Sequence, residues 1–386
     1  MDRLKSEFIK EKEILVNTDV PYSRDVDYIT FSRVLNDDKV VASYKMYWLL
    51  AVLDEVISGN KEITFKKLIS RIVASAWYPI SAFKLSFGSC DNLAKVVDYI
   101  HTEFNLKTNC DKRELIDFIY NCDDKGLKKM LNSLTLNVPY RFLSPFFPEK
   151  LKGKRNVNKP IVELSAEDKG CIYEICKGFD DEWCIKIRDE WYEYLKNNYK
   201  IIQGWTYYKL VCFLQKRNPN VPGIAMKLEA PLNRELKEQT KIWKKIIEIK
   251  HIEDLYTGLS FSKDNYEKYG VLSMDHFIPW SFVLHDQMWN LVPTFKNINS
   301  KKSDNLLSYD KYIEGLAKLQ YEAFSFVIDN KRKNEIEEYR TLLRVPDADI
   351  FKNSSDFEEF FKRYKDGTCP VYNIAVNQGF YVVKSI

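Results

Sequence analysis

The 386-residue chain lacks the features of a membrane or secreted protein. Its longest apolar run, Met46 to Leu53, is far shorter than the roughly 20 residues that a helix needs to cross a bilayer. The first residues are charged from Asp2 onward and no apolar core follows them, so we expect no secretory signal. These absences predict a cytoplasmic protein with no membrane partner.

The eight cysteines form no CxxC pair, and the closest two, Cys171 and Cys176, have four residues between them. A structural zinc site usually shows tighter pairs, so structural zinc is not expected. In a reducing cytosol we expect most of these cysteines to be small buried hydrophobic side chains. Internal repeats and low-complexity tracts are also lacking.

A large excess of one charge is lacking as well, since the net charge is only +4. This excludes a polybasic binding protein, but the distribution is uneven. Between Pro148 and Pro160 there is one acid, Glu149, and there are five bases: Lys150, Lys152, Lys154, Arg155 and Lys159. The segment is either a solvated linker or an arm that contacts phosphates, with Lys154 and Arg155 as candidate contacts.

Most of the chain shows hydrophobic residues at helical spacing, as in Phe65 to Ala76, where a helix is predicted to end near Pro79. Tryptophan and tyrosine are frequent between residues 183 and 208; they could stack nucleobases, but their helical spacing favours a core role. We predict a mostly α fold that is α+β overall. Its segments are a helical N-terminal domain (1–147), a basic linker (148–160), a helical domain (161–250), a segment that carries the chemistry (251–310), and a helical C-terminal region with a short strand tail (311–386).

The segment 251–310 combines a carboxylate, a histidine and two asparagines at defined spacings. Asp275 and His276 end a predicted strand over 271–276, and a second strand is predicted over 254–261. Asn290 and Asn299 follow in a region predicted to be a loop and then a helix up to Asn305. Successive residues of a strand point to opposite faces, so Asp275 can face a metal while His276 faces water. A histidine can accept a proton from water near neutral pH.

The spacing in this segment resembles that of the HNH endonuclease family, which has a ββα-metal fold. His276 precedes Asn290 by fourteen positions, and Asn290 precedes Asn299 by nine. The Asp-His-x-x-Pro-x-Ser-Phe opening (275–282) and the Lys-Ser-Asp-Asn close (302–305) are most similar to the HNH domain of the RNA-guided CRISPR nuclease. The resemblance covers roughly residues 250 to 310 and points to a bacterial HNH domain-containing protein.

The resemblance implies a role for each residue of the pattern. His276 would be the general base, and Asn290 would brace the loop that carries it. Asp275 and Asn299 would bind Mg²⁺ or Mn²⁺, because both present the hard oxygen ligands that these ions prefer. Lys302 would contact a phosphate next to the scissile one, with Lys301 and Lys296 as further contacts. His285, Asp286 and Asp304 lie nearby; we expect His285 and Asp286 to face solvent, and Asp304 to serve either the site or a cap or salt bridge.

These observations predict a metal-dependent endonuclease that hydrolyses nucleic acid, with DNA favoured because most HNH enzymes cut DNA. The large helical remainder suggests an effector in bacterial antiviral defence, and the N-terminal helices suggest a protein partner or a homo-oligomer. Two alternatives stay open. One is a nuclease subunit that a partner activates, and the other is a non-catalytic nucleic-acid-binding protein with a vestigial HNH module.

Overall fold

A computed structural model describes residues 18–36, 41–178, 181–230, 236–346 and 356–386. Helices make up 61% of the structure, which confirms the prediction of a mostly α protein with some β structure. The chain divides into two compact units, residues 1–219 with 227–230 and residues 220–226 with 231–386. The finer division into five segments remains a prediction.

The first unit contains eleven α-helices and three strands within the described ranges. The helices are α1 (Tyr28–Ser32), α2 (Tyr44–Ile57), α3 (Phe65–Trp77), α4 (Leu93–Phe104), α5 (Lys112–Asn121), α6 (Lys125–Leu134), α7 (Val138–Arg141), α8 (Pro148–Leu151), α9 (Asn158–Glu167), α10 (Asp189–Asn197) and α11 (Tyr199–Arg217). The strands are β1 (Glu62–Thr64), β2 (Tyr173–Lys177) and β3 (Trp183–Ile187).

The second unit contains seven α-helices and four strands within the described ranges. The helices are α12 (Lys237–Lys250), α13 (Lys263–Tyr269), α14 (Trp280–Val283), α15 (Lys296–Lys302), α16 (Tyr309–Asp329), α17 (Lys333–Leu343) and α18 (Phe357–Asn377). The strands are β4 (Leu272–His276), β5 (Leu291–Phe295), β6 (Leu306–Leu307) and β7 (Val382–Val383).

Helix α3 shows how local sequence sets the helical core. The Thr64 side chain accepts a hydrogen bond from the Lys67 N–H, which satisfies one of the free donors of the first turn. Leu68 and Ile72 lie on its buried face. The α-helix ends at Trp77, but the chain continues through Pro79 as a π-helical turn (Tyr78–Ala82), so Pro79 does not end the helical structure as predicted. The first unit is therefore built from amphipathic helices of the expected kind.

The first unit also contains a sheet where we predicted only helices. Strands β1, β3 and β2 form an antiparallel sheet in that order, with Ile63, Ile185 and Ile175 in register. The prediction of a helical domain over 161–250 is thus wrong between residues 173 and 187, where two strands form. The alternation in Trp183-Cys-Ile-Lys-Ile187 is the strand signal that the helical interpretation overlooked.

The strands of the second unit differ from those predicted. Residues 254–261 form a turn, in which Gly258 N–H donates to Asp254 O at 2.8 Å, and only a single bridge joins Glu253 to Ser260. The predicted strand over 271–276 is confirmed as β4. Its partner is β5, which was predicted to be a loop.

The predicted strand tail is shorter than expected. Helix α18 continues to Asn377 with Pro370 inside it, and only Val382 and Val383 form a strand. That strand, β7, pairs in parallel with β6. The extra helix is stabilised by packing, because the buried Tyr372 donates its hydroxyl to Leu307 O at 2.7 Å.

The cysteines are less buried than the sequence predicts. Only Cys171 and Cys184 of the eight free cysteines are buried and Cys90 is exposed, so the prediction that most are buried is wrong. The segment 148–160 begins in α8 and ends in α9, and its five basic side chains are exposed. Within the described ranges, no helix combines the length and the apolar character needed to cross a bilayer.

Candidate active site

The candidate residues are positioned by β4, β5 and α15. Strand β4 pairs antiparallel with β5, so that Asp275 faces Val292 and His276 faces Leu291 in the register. The chain then passes directly from Phe295 into α15, which packs against both strands. Helix α16 supports β5, since the buried Gln320 donates to Leu291 O at 2.8 Å. The strand-end acid and histidine and the helix-borne Asn299 are thereby carried on one small framework.

The Asn290 side chain hydrogen-bonds to the backbone that follows β4. Its side-chain oxygen accepts a hydrogen bond from Ile278 N–H at 2.9 Å, and its Nδ2 donates to Ile278 O at 2.8 Å. Its own carbonyl accepts from Phe277 N–H at 2.9 Å. The side chain is 1% exposed, so it has no access to a substrate. These contacts fix the two residues that follow His276.

Asp275 is buried beside a lysine. Lys302 Nζ lies 3.1 Å from Oδ1 and 3.0 Å from Oδ2 of Asp275, and it also donates to His276 O at 2.7 Å. The Tyr256 hydroxyl donates to Oδ2. Burial raises the pKa of Tyr256 well above its usual range, so the phenol keeps its proton and remains a donor. A buried carboxylate needs such partners, and here it has two hydrogen bonds, one from Lys302 and one from Tyr256.

The placement of Lys302 corrects its predicted role. The residue is 1% exposed and its ammonium group is used by Asp275 and His276 O, so it is not a surface contact for phosphate. Lys302 follows Asn299 by three positions on α15, and residues three apart share a helix face. The three-residue spacing therefore indicates that Lys302, like Asn299, lies on the face of α15 that contacts β4. Lys296 and Lys301 are exposed on the same helix, and Lys154 and Arg155 are exposed in the first unit.

Asn299 points its amide group at β4. Its Nδ2 donates to Ser273 Oγ at 2.8 Å and to Met274 O at 3.1 Å. With the nitrogen used in this way, the amide oxygen is the atom left for another ligand. Asn299 is half-buried and lines a pocket of about 200 Å³ together with Asp275 and His276.

The same pocket includes residues whose part in the site was left open by the sequence. Asp304 lines it and accepts a hydrogen bond from Ser281 Oγ at 3.0 Å. Trp280 and Pro279 form part of its wall, and Leu236, Met274 and Ser303 complete the lining. The structure thus brings the predicted base and both predicted metal ligands to one pocket.

His276 is paired with Asp286, which we expected to face solvent. His276 Nε2 lies 2.8 Å from Asp286 Oδ1, and the His276 side chain is only 8% exposed. Ten residues separate the two in sequence, and no spacing rule links them. The contact arises because the loop after α14 folds back over the end of β4.

His285 is also more enclosed than expected. Its ring lies 5.1 Å from that of Trp289, and its Nδ1 is buried without a hydrogen-bond partner among the described residues. Burial, and secondarily the nearby His276, lower the pKa of His285 to about 4. His285 is therefore a neutral, largely enclosed side chain at neutral pH, and the expectation that it faces solvent is wrong.

The donor set of the pocket fits a hard cation better than zinc. Within the described residues, no group of three or more His, Cys, Asp and Glu side chains is arranged to hold a metal. The pocket offers two carboxylates, Asp275 and Asp304, and one amide oxygen, Asn299. Mg²⁺ is commonly bound by one or two protein oxygens with waters and substrate phosphates completing the shell. The residues present therefore fit Mg²⁺ or Mn²⁺.

One of the comparisons with known proteins bears on this segment. Residues 254–307 match a family model described as HNH endonuclease. Neither the curated proteins nor the solved structures give a match to the chain. The family match covers the turn at 254–261, both strands, α15 and β6, and it supports nuclease activity for this segment.

Proposed function

We propose that the protein is a metal-dependent endonuclease that hydrolyses nucleic-acid phosphodiesters, with β4, β5 and α15 forming a ββα-metal module. The observation that carries the proposal is the shared pocket of Asp275, His276 and Asn299, within the segment that matches the HNH family. DNA is the favoured substrate because most enzymes of this family cut DNA. A role as an effector in bacterial antiviral defence is part of the same proposal and rests on architecture alone.

In the proposed mechanism, each residue acts through the contacts described above. His276 accepts a proton from the water that attacks the phosphorus, and the bond to the 3′ oxygen breaks as the new P–O bond forms. The products are a 5′-phosphate and a 3′-hydroxyl, whose proton comes from solvent. Asp275 and Asn299 would hold a divalent cation, which would neutralise charge on the scissile phosphate and on the leaving oxygen.

Two further side chains hold these groups in place. Asn290 fixes the backbone of Ile278 and so the chain that leaves His276. Lys302 holds the Asp275 carboxylate and the His276 carbonyl from inside the domain. Lys296 and Lys301, exposed on α15, and Lys154 and Arg155 in the first unit are the proposed contacts to nucleic-acid phosphates.

A second candidate is a nuclease that becomes active only when a partner docks or an oligomer forms. It is favoured by the low exposure of the reacting groups, since Asp275 is 4% and His276 is 7% exposed. Both groups line a pocket of about 200 Å³, and a partner that widens it would expose them to a sugar-phosphate strand. Substrate or partner binding could supply the free energy for this widening.

The test is a cleavage assay on plasmid, linear duplex, single-stranded DNA and RNA with Mg²⁺, Mn²⁺ or EDTA. We expect metal-dependent cutting that EDTA abolishes. His276→Ala should lose roughly a hundredfold to ten-thousandfold in rate, because a general base contributes about that much. Asn299→Ala should need more metal for the same rate. His101→Ala, which removes an exposed histidine of the first unit, is the matched control.

Two results would decide between the candidates. Full activity in the His276→Ala variant would reject the assignment of the base. A wild-type protein that is inactive alone but cuts when its genomic neighbours are added would favour the partner-activated nuclease. If it also stays inactive with these neighbours while still binding nucleic acid, the non-catalytic alternative gains support.

A further inference from the structure

We propose that Asp286 is a positioning residue for His276 and keeps its imidazole in the tautomer that can accept a proton through Nδ1. The inference rests on the proposed function for its catalytic meaning, but the tautomer itself can be measured without any substrate. Asp286 lies outside the spacing pattern that identified the other site residues. The contact between His276 Nε2 and Asp286 Oδ1, at 2.8 Å, is what points to it.

The chemistry of the contact sets the tautomer. An ionised carboxylate can only accept hydrogen bonds, so the nitrogen that meets it must carry the hydrogen. With the proton on Nε2, the neutral ring presents a lone pair at Nδ1. His276 Nδ1 has no hydrogen bond to the described residues, and His276 lines the pocket. Nδ1 is then the atom that can receive the proton of a water in that pocket.

The charge of Asp286 serves the same reaction. The carboxylate oxygen of Asp286 lies 2.8 Å from His276 Nε2 and accepts its hydrogen bond while Nδ1 takes part in the proton transfer. The His276 side chain is only 8% exposed and that of Asp286 27%, so water screens the pair less than it would at the surface. A side chain that hydrogen-bonds to a reacting imidazole in this way orients the ring and fixes which nitrogen is protonated.

The loop that carries Asp286 is anchored on both sides. At Leu284 the chain turns in the left-handed region, with φ of 59°. At Met288 the backbone N–H donates to Glu338 Oε2 of α17 at 2.7 Å. Between these anchors, His285 packs against Trp289. Asp286 is therefore presented to His276 by a loop that the rest of the second unit holds.

The test combines a tautomer measurement with kinetics. The variants are Asp286→Asn, which keeps the shape and removes the charge, and Asp286→Glu, which keeps the carboxylate. Asp264→Asn removes an exposed carboxylate of the same unit and is the matched control. Nitrogen-15 spectra of the histidine side chains, with His276→Ala for assignment, report the tautomer of His276 at a pH where the ring is neutral.

We expect the wild-type spectrum to show the hydrogen on Nε2 and the Asp286→Asn spectrum to show a mixture of both tautomers. We also expect Asp286→Asn to lower kcat about tenfold to a hundredfold with KM within about twofold, which is typical for loss of an orienting partner. Asp286→Glu should recover part of kcat. Asp264→Asn should match the wild type in both measurements.

The outcomes separate this inference from the proposed function. If His276→Ala is inactive while Asp286→Asn keeps the wild-type spectrum and kcat, the function stands and the role of Asp286 is rejected. If Asp286→Asn changes the tautomer and the wild type cuts no substrate, the positioning stands and the nuclease assignment fails. A wild-type ring with its hydrogen on Nδ1 would overturn the inference directly.

Discussion

At the scale of single residues, the most consequential contact is the one between Lys302 and Asp275. Both are nearly fully buried, and Lys302 Nζ lies 3.0 Å from the carboxylate. Such a pair adds little to stability compared with apolar residues, but removing one partner leaves a buried charge without compensation. Lys302 therefore offsets the free-energy cost of burying the charged Asp275 carboxylate at the pocket.

Lys302→Met should lower the free energy of unfolding by about 3–5 kcal/mol, because Asp275 would stay buried without its cation. The double variant Lys302→Met with Asp275→Asn should recover much of that loss, since the charge is gone. Chemical denaturation measures both. Lys301→Met removes the neighbouring exposed lysine and should stay within about 0.5 kcal/mol of the wild type. Equal stability of Lys302→Met and wild type would show that the pair is not held as described.

Sequence reasoning at this scale found Asp275, His276, Asn290 and Asn299 by spacing, and the structure places three of them at one pocket. It missed Tyr256 and Asp286, because both reach the site through tertiary folding. Tyr256 donates to Asp275 from a turn nineteen residues upstream. A contact that depends on how loops fold back leaves no periodic trace in the sequence.

At the scale of elements, the helices were more predictable than the strands, of which β4 was predicted and β5 was not. Strand β5 contains Pro293, which usually argues against a strand. The proline is tolerated because β5 pairs only with β4 among the described strands, so its other edge needs no backbone donor. In α18, Pro370 likewise failed to end the helix, because buried residues beyond it, such as Tyr372 and Ala375, hold the last turns in place.

The close packing of α18 on α17 leaves no room for a side chain at one glycine. A Cβ at Gly367 would lie 2.9 Å from Leu342 O, a backbone atom that cannot move without shifting α17. Gly367→Ala should therefore lower the free energy of unfolding by about 1–3 kcal/mol, as overpacking typically does. The measurement is denaturant unfolding followed by circular dichroism.

Gly204 provides the control, because it lies inside α11 and a Cβ there would meet nothing within 4 Å. Gly204→Ala should raise stability by up to about 1 kcal/mol, since alanine favours the helix. The two substitutions are chemically identical and should have opposite signs. A stabilising Gly367→Ala would mean that α17 and α18 do not approach as closely as described.

At the scale of the whole molecule, stability should depend on pH through a carboxyl group of the second unit. Burial raises the pKa of Glu338 to about 7 from its usual 4.5, and Glu335 nearby acts in the same direction. The folded state thus binds a proton that the unfolded state has released between about pH 4.5 and 7. Its stabilising contribution is present below that window and is lost as the pH rises through 7.

Glu338→Gln should be more stable than the wild type at pH 8 by about 1–2 kcal/mol, a value reduced for partial solvent screening, and nearly equal to it at pH 4.5. The amide can still accept the Met288 N–H. Thermal or urea unfolding across this range measures the difference in stability. His285 contributes to the pH dependence in the opposite direction, but equally in both proteins, so its contribution cancels in that difference. Glu337→Gln, an exposed neighbour, should show no such trend. A constant difference between Glu338→Gln and wild type would contradict the shifted pKa.

The sequence alone determined the helical class of the chain and the segment that matches the HNH endonuclease family, because amphipathic spacing and motif spacing are local properties. It also determined that Asp275 and His276 are successive residues at a strand end, where side chains point to opposite faces of the strand. Tertiary structure alone decided that Lys302 lies inside, that Asp286 meets His276, and that β5 is a strand. These features depend on burial and on contacts between residues distant in the chain, and only the folded packing supplies them.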